Sequence, residues 1–428
     1  MLLRIKVVLF SLFALLSVGF SQSLMNAFGI GSPASNFDAA SMGTSPMSLL
    51  PSFQEGVSIS NPVTWSQLHY TYLTGTYGGQ QSEIQSGSIK NSRTYLQQIQ
   101  LIIPIKKKYA FGLSIAPNTN RLYSIIGVEN LVDDDIYGDS LTVRKSVSGY
   151  GGIASLKPSV TFPLTSLESM AISIDYLFGS SRGITSISID GTDYIQKEQD
   201  IYSGTMIKLF FRSKRLNYKD YGIGFYLSLE GALKPLSINR VSHQPFEDNN
   251  ESGNHDGSYY SDFPDLSLIP DAIQSNSIGE IDPFEIQVGF DVNIRPRLHI
   301  LSEGSHWYDR GDNGHTVSVL NDKIVSLDQI SLGLALFSRR LPRQILNQFH
   351  YRGGFFAKQY TLYHKGEKID EKGFSFGFGV KFGVTDNQID FGFLITQRDG
   401  LDVNNELIQQ FSIGVSLGDI WFIKRRAR

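Results

Sequence analysis

The chain has no cysteine among its 428 residues. That excludes disulfides, thiolate metal sites and a cysteine nucleophile, and it suits an oxidising envelope compartment. It also lacks a charge bias: 38 basic residues against 41 acidic ones leave a net charge of −3, so there is no basic footprint for a nucleic acid. Beyond the N-terminus no apolar run approaches the roughly 20 residues of a membrane-spanning helix, and amphipathic helical periodicity is scarce. Histidines 69, 243, 255, 299, 306, 315, 350 and 364 show no metal-type pairing at helical spacing. No cofactor, metal site or enzymatic chemistry is expected.

What is present is glycine, 41 residues, and aromatics at 12%, arranged with a period of two. In Gly373-Phe-Ser-Phe-Gly-Phe-Gly-Val-Lys-Phe-Gly383, apolar side chains at 374, 376, 378, 380 and 382 alternate with small or polar ones. This is a β-strand with one greasy and one small, polar face. Fourteen such runs follow one another, from Trp65–Tyr77 to Leu407–Leu417, and no helices accompany them to supply a second layer. Strands that meet lipid outside and a polar interior read this way, and single-chain bacterial barrels have an even strand number. The expected fold is therefore all-β, a transmembrane antiparallel β-barrel of about 14 strands.

Connections alternate short and long. Ile105–Lys108, Pro163–Glu168 and Arg295–Pro296 are short, whereas Asn118–Ser146 and Lys234–Pro283 are long. Short periplasmic turns and longer outer loops give this alternation, with both termini periplasmic. Lysine and arginine gather in the short turns, and Asp133-Asp-Asp135 and Asp248–Asp256 fall in long ones. The 248–256 run has the composition of a calcium loop, but Tyr259 stands where the terminal glutamate belongs, which favours a solvated loop. Gly377-Phe-Gly379 and Gly222-Ile-Gly224 lie inside strands with no following helix and read as lumen-facing glycines rather than dinucleotide loops.

Residues 1–21 read as a signal peptide. Arg4 and Lys6 precede an apolar stretch from Val7 to Phe20, and cleavage is expected before Gln22. Residues 22–64 do not alternate, are broken by Pro33, Pro46, Pro51 and Pro62, and carry too many apolar side chains for a solvated tail. They read as an N-terminal plug inside the lumen, with one helical turn near Met47–Leu50, and residues 65–428 as the barrel. Asp175, Glu230, Asp291 and Lys381 fall on the inward parity as lumen charges. Pro117 interrupts the third strand and marks a candidate lateral gate, because a proline removes one ladder bond. Phe263, Leu266, Leu268, Ile269 and Ile273 form an apolar cluster in the longest connection, a candidate ligand-capture site.

Several short motifs resemble one known family. Ala40-Ser-Met-Gly-Thr-Ser45 is similar to its glycine-rich N-terminal stretch. Ser60-Asn61-Pro62-Val63 is similar to its Asn-Pro-Ala plug motif, with valine for alanine. Ile102–Gly112 resembles its second hairpin, Asp282–Gly289 the strand after its largest loop, and Trp421–Arg425 its C-terminal ending. The family is that of FadL-like outer-membrane barrels, which includes toluene and xylene channels and the PorV-type secretion barrels. The resemblance implies fourteen strands, an N-terminal hatch, capture of hydrophobic ligands in outer loops, and exit through a kinked third strand.

The reading is a monomeric outer-membrane channel for uptake of hydrophobic small molecules such as long-chain fatty acids. Outer-membrane lipid and lipopolysaccharide surround it, and no nucleic acid is a partner. Two alternatives stay open: a PorV-type scaffold that docks exported proteins of a secretion system, and a general diffusion porin.

Overall fold

In the computed structural model fourteen strands close into one antiparallel barrel. The structure describes residues 24–419 except 34–36, 85–88, 106–107, 128–129, 134–139, 166–167, 219–220, 256–261, 266–271, 296, 312–321, 339–344, 364–365, 384–385 and 401–404. The expected signal peptide lies outside them.

The strands are β1 Thr71–Ile84, β2 Ile89–Ile105, β3 Tyr109–Pro117 with later pieces Tyr123–Ile126 and Asn130–Asp133, β4 Ser140–Pro163, β5 Ser169–Ile189, β6 Thr192–Arg212 and β7 Tyr221–His243. They continue as β8 Ala272–Ile281 with Pro283–Arg295, β9 Leu298–Asp309, β10 Ile324–Leu336, β11 Phe349–Leu362, β12 Lys368–Phe382, β13 Asn387–Asp399 and β14 Glu406–Asp419. Each pairs with its sequence neighbours, and β14 closes the ring on β1 from Thr71↔Asp419 to Ile84↔Glu406. No sheet edge is left where the ring closes, as a wall in lipid requires.

The period-two pattern resolves into two faces. Phe374 and Phe376 are exposed on the outside while Ser375 and Gly377 are buried inside. Leu332 and Leu334, Phe111 and Leu113, and Tyr176 and Phe178 are likewise exposed outward. These side chains face hydrocarbon, so their exposure stabilises the inserted barrel rather than weakening it.

Several segments expected as loops are strand. β4, β5, β6 and β7 run for 24, 21, 21 and 23 residues, against 12 in β9 and 13 in β10. A tilted strand crosses hydrocarbon in roughly 9–11 residues, so β4–β7 form a wall rising beyond it. Outside lipid neither face must be apolar, which is why the alternation vanished there while pairing continued.

The segment ahead of β1 lies inside the ring. A short helix, Ala39–Gly43, packs on β11–β14, and a 3-10 turn, Pro62–Gln67, packs on β2–β6. A peptide touching walls on both sides of a closed ring is enclosed by it. Met25, Met42, Met47, Leu49, Leu50, Phe53 and Trp65 are among its buried side chains. The helix sits at Ala39–Gly43 rather than near Met47–Leu50, because Asp38 caps it by accepting from the Ser41 N–H at 3.0 Å. Trp65 belongs to this enclosed segment, since β1 starts only at Thr71.

Glycines on the inner face make room for it. A Cβ at Gly377 would lie 2.8 Å from Gly43 Cα, one at Gly392 2.5 Å from the Ala39 carbonyl, and one at Gly112 2.2 Å from the Trp65 ring. These glycines serve close backbone approach.

Candidate functional site

The enclosed segment is bound to the wall on several sides. Arg352 of β11 donates to the Ser52 carbonyl (2.7 Å), the Phe53 carbonyl (3.2 Å) and Asp390 of β13 (2.7 Å). Gln388 also donates to the Phe53 carbonyl at 3.1 Å. Across the lumen, Glu303 of β9 accepts the N–H groups of Leu49 (2.9 Å) and Ser48 (3.2 Å). On the β2–β4 side Gln100 donates to the Ile59 carbonyl and Thr161 to the Pro62 carbonyl. Asn61 caps the 3-10 turn, accepting from the Val63 N–H at 3.1 Å and donating to the Leu49 carbonyl at 2.6 Å. Pro62 fills the first position of the turn, where no N–H is needed.

A cavity of about 330 Å³ remains between this segment and the wall. Phe28, Ile30, Pro62 and Trp65 line it from the enclosed side, and β2–β10 from the other. Its apolar wall is built from Leu177, Met206, Leu236, Ile238 and Ile281, which pack together with Ile30. Its other side carries charge. Lys157 lies 3.0 Å from Asp175, and Lys208 lies 2.8 Å from Glu230 and 3.0 Å from Glu285. The lining is thus amphipathic, apolar on one side and charged on the other.

The cavity adjoins a break in β3. Pairing of β2 with β3 runs from Ile105↔Tyr109 to Ile99↔Ile115, and among the described residues no pairing of the two extends past it. After Pro117 the chain turns inward, and Thr119–Asn120 pairs with Ser32–Pro33 of the enclosed segment. The backbone stays bonded to β4 through the Asn118 N–H to the Ile153 carbonyl and the Arg121 N–H to the Gly151 carbonyl, and from Tyr123↔Gly149 on, among the described residues, β3 pairs with β4 alone. Buried Arg121 anchors the inward turn on Asp200, Ser181 and Tyr202 of the tall wall. Ala116 and Asn118 line the cavity on either side of Pro117.

Of the residues singled out from sequence, the cavity brings Pro62, Asp175 and Glu230 together. Asp291 lies elsewhere, in contact with Arg215 and His299. Lys381 pairs with Asp386 of the adjoining turn at 3.7 Å. Phe263 is exposed and its backbone bridges Glu247. Ile273 sits in the first piece of β8, while Leu266, Leu268 and Ile269 lie outside the described residues. Lys157, Lys208, Glu303 and Arg352 were missed, although inward parity within apolar strands marks each of them. Gly179-Ser-Ser-Arg-Gly183 has the spacing of a nucleophile elbow, but it lies within continuous β5 with no following helix. Asp248 accepts the N–H groups of Ser252 and Gly253, closing its own loop.

The sequence matches the family model BamG over residues 1–226 and 303–427. The chain belongs to the BamG family. No curated protein matches it significantly in sequence. Among solved structures it is similar to a Pseudomonas aeruginosa FadL homologue, at TM-score 0.57 and 12% identity over 91% of this chain and 99% of that one. It is also similar to the CymD monoaromatic hydrocarbon channel, at TM-score 0.52 and 10% identity over 93% and 99%. At such identities the likeness is one of fold. This member of the family has a FadL-like barrel fold.

Proposed function

We propose that the barrel takes up hydrophobic small molecules across the outer membrane, with residues 22–64 acting as the plug. The observation that carries this reading is the cavity between the enclosed segment and β2–β10, apolar on one side and adjacent to the break after Pro117. Apolar burial at about 25 cal/mol per Å² supplies the drive for capture without any cofactor. The loop cluster Phe263, Leu266, Leu268, Ile269 and Ile273 is the proposed first contact, and the gap between β2 and β3 the proposed exit. The CymD monoaromatic hydrocarbon channel shares this fold, in keeping with an apolar cargo. Long-chain fatty acids fit the cavity less well than uncharged compounds, because its lysines are already paired.

Leu236→Trp places an indole on the apolar wall. In the purified, folded barrel it should abolish binding of an apolar fluorophore such as N-phenylnaphthylamine. Undiminished binding in that variant sinks the cavity as the ligand path.

A second reading, a barrel that docks exported proteins, is favoured by the tall β4–β7 wall, which offers surface beyond the hydrocarbon. Stable co-purification with a secretion machine, together with a cavity free of any co-purified apolar molecule by native mass spectrometry, would select it.

A further inference from the structure

The cavity's charges say which end group it accepts. We propose that its ligands are amphiphiles whose polar end donates hydrogen bonds and carries no negative charge, an alcohol or an amine, and that carboxylates are rejected. This rests on the cavity being the ligand site.

Two lysines, Lys157 and Lys208, meet three carboxylates there, Asp175, Glu230 and Glu285. The balance of this side is one net negative charge. Exposed Glu280 on the same lining adds another, and Lys323 on the far side is matched by Asp309 at 2.8 Å. Each lysine Nζ therefore already has a carboxylate partner. An incoming carboxylate has to compete with Asp175 for Lys157, or with Glu230 and Glu285 for Lys208, and it is repelled by the ones it does not displace. Because Asp175 and Glu230 are largely buried, such like-charge contacts cost more here than at an open surface.

A donor meets the opposite situation. Asp175 lines the cavity, is 2% exposed, and its Oδ1 has no hydrogen-bond partner. An unsatisfied buried carboxylate oxygen is costly. A hydroxyl or ammonium group delivered by a ligand satisfies it, and with an amine it also neutralises the excess charge. Ser155 and Ser159, on the same face of β4 as Lys157, add neutral polar surface around that end.

The test uses the full-length purified barrel and decyl chains tipped with bromine at the apolar end. They terminate in a hydroxyl, an ammonium or a carboxylate. Trp65 and Trp307 line the cavity, so bromine quenching of their fluorescence reports occupancy. A barrel carrying Trp65→Phe and Trp307→Phe, which lacks both cavity reporters and keeps the tryptophan at 421, serves as the blank for quenching through surrounding lipid or detergent. Saturable quenching above that blank is expected for the alcohol and the amine at concentrations at least about tenfold below those needed for the carboxylate. Asp175→Asn removes the negative partner and frees Lys157. It should weaken the amine and strengthen the carboxylate, opposite shifts that mere loosening of the fold does not produce. Equal or tighter binding of the carboxylate by the unaltered barrel overturns the selectivity while leaving the cavity as the ligand site. Quenching by no chain above the blank overturns both.

Discussion

Arg352 is the side chain on which the wall most tightly holds the chain within it. Its side chain is fully buried, its ion-pair partner Asp390 is 4% exposed, and the remaining donors go to two carbonyls of the enclosed segment. Removing one partner of a buried pair leaves the other charge uncompensated, at about 3–5 kcal/mol. Arg352→Met should lower the unfolding midpoint in denaturant accordingly and open the peptide around Ser52 and Phe53 to protease. Arg352→Met combined with Asp390→Asn should recover part of the loss, because no lone buried charge then remains. A single variant as stable and protease-resistant as the parent would show that the clamp is idle. Parity alone made Asp175, Glu230 and Asp291 legible as inward charges. Their partners were not legible, because Lys157 and Lys208 come from other strands and Arg215 from the connection between β6 and β7, and register between distant segments is not written in either one. Arg352 was hidden for the same reason: what it binds lies some 300 residues away in the chain.

At the scale of elements, the third strand carries the most consequence. Wherever lipid imposes a greasy face the strands were readable, and all fourteen runs correspond to observed strands. The upper parts of β4–β7 escaped notice because water on both faces imposes no period. Pro117 was visible as an interruption, but the inward turn after it was not, since it depends on pairing with Ser32–Pro33. A backbone left unpaired at membrane depth costs several kcal/mol unless protein or water satisfies it. Here the enclosed segment pairs with Thr119–Asn120, which satisfies backbone groups on the β3 side of the gap. If ligand leaves through that gap, joining its two sides should trap it. Cysteines at Gln98 and Ala116, both lining the cavity, provide the link. The oxidised pair should lose uptake in cells but keep binding in the purified barrel, and reduction should restore uptake. Uptake at the parental rate with the crosslink complete would mean that ligand leaves by another route and that Pro117 only ends a strand segment.

The whole molecule is a closed wall around a segment it does not share a sheet with, and that separation makes the two independently testable. The ladder pairing of β1–β14 is complete around the ring except beside β3, and it does not use the enclosed chain. The groups that hold that chain, among them Glu303, Arg352 and Gln100, are polar and accept water in its place. Deleting residues 22–64 from the exported protein is therefore expected to leave a barrel that inserts and keeps its heat-modifiable migration, although at reduced stability. Met47, Leu49, Leu50 and Phe53 leave with the segment, and with them the apolar packing against Phe210, Leu301 and Phe337 on one side and Tyr72 and Ile102 on the other. What remains is a lumen lined largely by small and polar side chains, wide enough to fill with water. In a planar bilayer the truncated barrel should pass ions in steady steps, and the full chain should pass few or none. Restoring the segment with Arg352→Met in the wall should give an intermediate, flickering conductance, because the segment is present but held on fewer sides. If the folded truncation is as silent as the full chain, something other than residues 22–64 closes the lumen, and the path past this segment to the cavity loses its basis.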